Sequence, residues 1–270
     1  MSWMDAVARL RAERRAAVLV TLIGVRGHAP REAGAKMVVA DTETTGSIGG
    51  GNLEMTAVAR SRELIATGVD RPETLELRLN DRAPAEHGRQ CCGGEVTILL
   101  EPLPVPPVVA IFGVGHIGLE LTRILARQDM DLFLTDSRPE EIDAAAGLEQ
   151  GEATVHLRRT ALGEEVVAEL PPGSHVLIMT HDHAEDLHLC DAALRRRSEL
   201  ASVGLIGSSA KWQRFRKNLV EAGHAPELVD TITCPIGLSD LPGKRAATIA
   251  VGVAADLLRR FRTSDSGELT

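Results

Sequence analysis

The chain has 270 residues, a formal net charge of −8 and only 2% aromatic residues, with no tyrosine. That length supports a well-buried core in one large or two ordinary domains. An acidic chain nearly free of aromatic rings lacks both the basic field and the stacking platforms of a nucleic-acid binder.

Trp3, Met4, Val7 and Leu10 fall at helical spacing and predict an amphipathic helix over Trp3–Glu13. Arg9, Arg11, Glu13, Arg14 and Arg15 follow no apolar stretch, so this start does not read as a signal peptide. No apolar run approaches the roughly 18 residues that span a membrane. The expectation is a cytoplasmic protein with reduced thiols and no membrane contact.

An apolar strand Ala17–Ile23, a Gly- and Pro-marked loop Gly24–Gly34 and a strand Lys36–Ala40 come next. In "TGSIGGGNLE", Thr45–Glu54, the residues Gly49, Gly50 and Gly51 permit positive φ and close approach of backbone amides to a ligand. Three consecutive glycines exceed what one tight turn needs, which favours a ligand loop over a structural turn. Asn52 is expected to cap a helix running to Thr67, with Glu54 in its first turn. Leu75, Leu77 and Leu79 alternate with Glu76 and Arg78 as a half-buried strand, and Glu95–Leu100 is another.

Between those strands stands "RQCCGGE". Cys91 and Cys92 are adjacent, so they cannot form the C-x-x-C half of a zinc ribbon. Consecutive strand residues point to opposite faces, so one thiol can pack while the other faces a cleft. Thiolates are soft metal ligands and good nucleophiles, and core packing is the competing reading. Cys190 is expected to be buried on a helix, and Cys234 precedes a Pro-Ile-Gly turn.

Pro102, Pro104, Pro106 and Pro107 read as a stiff linker. The expected division is a first domain 1–101, a linker 102–107, a second domain 108–262 and a flexible tail 263–270. Beyond the linker, Val108–Phe112 is a buried strand, followed by Gly113-x-Gly115-x-x-Gly118 and a helix to about Arg127. Asp131–Thr135 is a strand ended by Asp136, 23 residues after the first glycine. Strands Val176–Met179 and Ser202–Ile206 and a last helix Ala246–Phe261 complete an α/β, doubly wound parallel sheet of Rossmann type. The glycines suit a phosphate at a helix N-terminus, and Asp136 is placed to accept from a ribose hydroxyl. A tight turn that binds nothing is the competing reading.

"MTHDHAEDLHL" places His181, Asp182 and His183 at the carboxyl edge of this sheet. The pattern approaches the His-x-His-x-Asp-His of metallo-β-lactamase-like hydrolases, but Leu187 stands where a ligand is required after Asp186. Ligand contact, a metal site and helix capping all remain open. In "GLIGSSAK", Ser208 serves either an anion or the helix cap. The basic run Lys211–Lys217 reads as a solvated helix face.

Taken together, "GHAPREAGAKMVV", "GSIGGGNLE", "QCCGGEV", "IFGVGHIGLELTRIL", "MTHDHAEDL", "GLIGSSAKWQRF" and "CPIGL…LPGKRAATIAVGVAADLL" occur in the order found in the XdhC/CoxI family, which the chain resembles from about Trp3 to Leu258. The resemblance implies an N-terminal α/β XdhC-type domain followed by a Rossmann-like domain. It implies a molybdenum cofactor (molybdopterin) chaperone, more an accessory factor than an enzyme. Such a chaperone holds the cofactor during sulfuration by a cysteine desulfurase and inserts it into apo-xanthine dehydrogenase, through the molybdenum-binding subunit. A homodimer is expected. The implied cofactor-binding residues are Arg31, Glu32, Gly49, Gly50, Gly51, Glu54, Cys91, Cys92, Gly113, Gly115, His116, Gly118, Asp136, His181, His183 and Ser208; for Cys91 and Cys92 three roles stay open, as molybdenum ligands, as persulfide relays or as lining of the pocket. Two positions depart from the family pattern: a small hydroxyl residue is usual where His28 stands, and His is often found where Asn52 stands. Two alternatives stay open: an NAD(P)-dependent oxidoreductase using Gly113, Gly115, Gly118 and Asp136, and a metallohydrolase using His181 and His183.

Overall fold

The computed structural model describes residues 2–78, 94–149, 151–241 and 243–265, with side chains through residue 261. Leu79, Cys91 and Cys92 lie outside the described residues. The chain divides into two compact units at Val105/Pro106.

The first unit runs α1 (Trp3–Ala12), β1 (Ala17–Arg26), β2 (Lys36–Ala40), β3 (Thr44–Gly46), α2 (Gly51–Thr67), β4 (Glu73–Arg78) and β5 (Glu95–Leu103). Ser2 and Asp5 form a capping box that starts α1. The strands make one antiparallel sheet in the order β3-β2-β1-β5-β4. The first half of β1 is almost continuously apolar because both its faces are covered there. Val18, Val20 and Leu22 pack with Leu53, Ala57 and Leu64 of α2, while Ala17 packs with Ala6 and Leu10 of α1.

β5 corrects the expected strand end at Leu100. It continues through Glu101, Pro102 and Leu103, and Pro102 lies opposite Val18 of β1. β4 pairs with β5 only as far as Leu100. Past that point β5 has a neighbour on one side alone, where a residue lacking an N–H is tolerated.

The second unit runs β6 (Val108–Phe112), α3 (His116–Leu125), β7 (Asp131–Asp136), α4 (Pro139–Ala146), β8 (Thr154–Arg159), α5 (Gly163–Glu169) and β9 (His175–Ile178). It continues through α6 (His183–Arg195), β10 (Ser202–Leu205), α7 (Ser209–Glu221), α8 (Pro226–Val229), β11 (Ile232–Thr233) and α9 (Ala246–Asp265). All six strands are parallel, in the order β11-β10-β9-β6-β7-β8. The order reverses between β6 and β9, and in open parallel sheets the crevice at the carboxyl ends there is where ligands bind. Phe112, Val176 and Ile178 face a core shared with α5, α6 and α7. Ile111, Leu132, Leu134 and Leu177 face the core shared with α3, α4 and α9. The edge strand β8 escaped the sequence reading because Thr154, Val155, Arg158 and Arg159 are exposed and show no alternation. α9 runs to Asp265, past the expected end at Phe261, since no Gly or Pro interrupts Arg262–Asp265.

His175 opens β9 at 7% exposure, with Nδ1 2.8 Å from Ser202 Oγ and the Phe261 ring edge-on at 5.0 Å. Burial holds its pKa down at about 4, with nearby Arg260 adding to the effect and Asp256 opposing it. The ordinary value is about 6.5, so the neutral ring contributes stability that is complete above pH ~6.5 and is lost as pH falls towards 4. Thermal unfolding of the wild type should therefore weaken across that window, by up to about 3 kcal/mol. A His175→Gln variant should show a flatter profile there; equal profiles would mean that His175 titrates normally.

Candidate functional site

In the first unit the relevant geometry sits between β3 and α2. Gly49, Gly50 and Gly51 have φ of 133°, 75° and 60°, a region that favours glycine. The backbone uses all three, so their number alone does not point to a ligand. Asn52 is not the helix cap: Gly50 is, and it has no side chain to offer. Glu54 instead reaches back, from one turn further in, to the amides that precede the helix. Its Oε1 accepts from Ser47 Oγ at 2.6 Å, from the Ile48 amide at 2.9 Å and from the Gly49 amide at 3.1 Å, and the carboxylate also takes the Gly50 amide. Burial alone would raise the Glu54 pKa, but the bonds from Ser47, Gly50, Gly49 and Ile48 outweigh it and hold the carboxyl below its ordinary value. Asn52 Oδ1 is buried without a hydrogen-bond partner among the described residues.

Two close approaches bring separate motifs together. A Cβ at Gly49 would come within 2.7 Å of Pro30, the neighbour of Arg31. A Cβ at Gly94 would collide with the carbonyl oxygen of His28. The loop that carries exposed Arg31 and Glu32 is thus held between the triple-glycine loop and Gly94. Cys91 and Cys92 precede Gly94 by three and two residues and lie outside the described residues.

In the second unit the three motif glycines have three different reasons. Gly113 has φ 96° and its α-carbon lies against the Met179–Thr180 backbone. Gly118 lies against the carbonyl of Gly113, which brings α3 close to β6. Gly115 is open among the described residues: the nearest of their atoms to a Cβ there would be Arg138 Nη2 at 3.6 Å. His116 is the exposed first residue of α3.

Asp136 departs from its expected role. It is 3% exposed, and its Oδ2 accepts from the Val114 amide and Arg138 Nη2, each at 2.8 Å. Its Oδ1 accepts from the Arg138 amide at 3.0 Å and from Arg138 Nε at 2.9 Å. Burial would raise its pKa, but the bonds from Arg138 and Val114 hold it below the carboxylate range. With four donors in place it is committed to the loop and has no acceptor site left for a ribose hydroxyl. Arg138, which also pairs with Glu141 at 3.0 Å, was not singled out in the sequence. The available signal was its place two residues beyond the strand-ending acid and directly before Pro139.

The histidine loop resolves as a helix start. Asp182 caps α6, accepting from the Ala184 amide at 2.7 Å and the Glu185 amide at 2.9 Å, and His181 and His183 flank it on the surface. Among the described residues no three His, Cys, Asp or Glu side chains are grouped to hold a metal ion, so the metallohydrolase reading finds no ligand set there. Ser208 caps α7, accepting from the Lys211 amide at 3.2 Å. Lys211 itself is not part of a solvated face. Its ammonium donates to Asp186 Oδ2 at 2.5 Å and to the Ile206 carbonyl at 2.9 Å, and Asp186 also accepts from the Thr180 amide and hydroxyl. Cys190 is fully buried on α6 and Cys234 half-buried; burial pushes both thiols up, away from reactivity.

The family profiles agree with this architecture. The family profile described as the XdhC Rossmann domain matches residues 109–257, and that of the XdhC and CoxI family matches residues 10–77. PaoD of Escherichia coli, a molybdenum cofactor insertion chaperone, is 27% identical over 282 residues, covering 93% of this chain and 86% of PaoD. The uncharacterized protein YqeB of Escherichia coli is 25% identical over 268 residues, 99% of this chain; the chain spans only 48% of YqeB. A solved structure described as a xanthine dehydrogenase from Bacillus halodurans has a TM-score of 0.49 at 19% identity, covering 97% of this chain and 96% of that one. With the Rossmann profile matching more than half of its length, the chain belongs to the XdhC and CoxI family.

Proposed function

We propose that this protein is a molybdenum cofactor chaperone that holds the cofactor while a cysteine desulfurase supplies its terminal sulfur, and then inserts it into a molybdoenzyme of the xanthine dehydrogenase class. The observation that carries the reading is the meeting, at one end of the first unit, of the Gly27–Gly34 loop, the Gly49–Gly51 loop and Gly94 at the end of the cysteine motif. The kinship with PaoD, a chaperone by name, supports it.

The donor set fits such a group. When bound, the cofactor supplies a molybdenum centre with soft sulfur ligands, a hydrogen-bonding pterin and an anionic phosphate. A thiol of Cys91 or Cys92 is the soft partner that this chemistry calls for. Asn52 Oδ1, buried and unpartnered among the described residues, is an acceptor beside the loop. Exposed Arg31 offers a guanidinium suited to phosphate. In the second unit, Gly115 leaves the N-terminus of α3 open to an anion, with Arg138 beside it. The part these residues take in the proposal is to bind and position the cofactor.

Anaerobic gel filtration with released cofactor should leave about one pterin per chain on the protein, and complete separation would overturn the proposal. Cys91→Ala and Cys92→Ala should lower retention or sulfuration at an unchanged melting temperature. Loss of stability alone in both variants would make the thiols structural.

Gly115 has φ −68°, which any residue adopts, and space for a side chain. Gly115→Val should keep the fold and weaken cofactor binding at least roughly tenfold, or about 1.4 kcal/mol. Titration with the cofactor, and separately with NAD, measures this. Undiminished cofactor affinity would mean that the opening at Gly115 takes no part in holding the cofactor.

A further inference from the structure

The loop before α2 has the form of an anion cradle: consecutive positive-φ glycines turn successive amides towards one point. That point is occupied by the chain's own carboxylate. The amides of Ile48, Gly49 and Gly50 and the hydroxyl of Ser47 all donate to Glu54. The arrangement is not a capping box. Gly50 is the cap, so Leu53 takes the third helical position, and Glu54, one position later, reaches back over the start of its own helix. A phosphate entering this cradle would have to displace a carboxylate held by four donors. Gly50, in contrast, has nothing among the described residues within 4 Å of the place a Cβ would take, so none of them covers the outer side of the loop.

We propose that Glu54 is an internal anion that moulds the Ser47–Gly51 loop: a positioning residue that fills the cradle, not a ligand of the bound group. The loop then meets its partner through the open side at Gly50 and through Asn52, with its inner amides already satisfied. Only this last consequence rests on the cofactor reading; the occupation of the cradle by Glu54 stands apart from it.

Removing the carboxylate converts the cradle into a site for a small free anion. Glu54→Ala should melt below the wild type, and sodium formate should restore part of the loss in a saturable way. Sodium chloride at equal ionic strength should not, and the wild type should not respond to formate. Equal melting of wild type and Glu54→Ala, or an identical response of both to formate, would overturn the proposal. Should Glu54→Ala fail to fold, Glu54→Gln keeps an acceptor oxygen without the charge. In it the amides of Ile48 and Gly49 should exchange hydrogen roughly tenfold faster than in the wild type, and unchanged exchange would equally overturn the proposal. For cofactor retention, Glu54→Ala should lose it and recover it with formate. A variant of wild-type stability that loses the cofactor and is not rescued would make Glu54 a direct ligand. If the wild type retains no cofactor, the chaperone reading fails, while the melting and exchange measurements still decide the role of Glu54.

Discussion

A backbone amide stranded where a strand ends and a helix begins must find an acceptor once it is buried, at a cost of about 1–3 kcal/mol if it does not. In this protein carboxylates meet that requirement at several such junctions. Glu54 takes the amides before α2, Asp136 takes those of Val114 and Arg138, and Asp186 takes that of Thr180. These bonds fix the loops that the family motifs occupy. They also determine what the loops can still bind, because an amide that already donates to a carboxylate is closed to a phosphate.

The second unit shows how far this goes. Asp136 ties the loop after β6 to the first residues beyond β7, and the Arg138 guanidinium clamps it from the outside. Asp186 and Lys211 join the start of α6 to the start of α7 across the ends of β9 and β10. Such a buried pair contributes little net stability, yet removing one partner strands a charge and typically costs about 3–5 kcal/mol. The carboxyl edge of the sheet is therefore rigid and rich in acids. Glu185, on the first turn of α6, shows the result: burial, helped by Asp136, Asp186 and Asp182 against His181, raises its pKa. A pyrophosphate would meet an unfavourable field on that side of the crevice, whereas the side at Gly115 carries Arg138.

Much of the fold was readable because periodicity and burial coincide. Lys36–Ala40 and Val108–Phe112 are strands with the bounds their apolar runs predict, and the alternation in Leu75 and Leu77 marks a strand with one covered face. The reading failed where the controlling fact was a neighbour distant in sequence. Pro102 ended the expected strand, yet it is accommodated because β4 stops short of it. Lys211 sits in a basic run with exposed Arg214 and Lys217, and only the fold reveals a buried aspartate facing it. Asp136 was read as an acceptor for a ribose hydroxyl, and the sequence could not tell that Arg138 and Val114 would consume its oxygens. The expected cap at Asn52 failed for a similar reason: the glycines let the chain turn so that Gly50 takes the cap position, and Glu54 reaches back to the amides before the helix.

Subtracting the groups already engaged leaves a short inventory of what each unit can offer a ligand. In the first unit these are the open side of Gly50, the orphaned acceptor of Asn52 and the exposed side chains of Arg31 and Glu32. In the second it is, among the described residues, the open approach at Gly115 and the start of α3. Neither set contains a buried acid–base pair poised for proton transfer: the buried carboxylates carry structural bonds, and burial quiets Cys190 and Cys234. What both sets offer, among the described residues, is contact: an acceptor, a guanidinium and open backbone, held in place by carboxylates that have already taken the neighbouring amides.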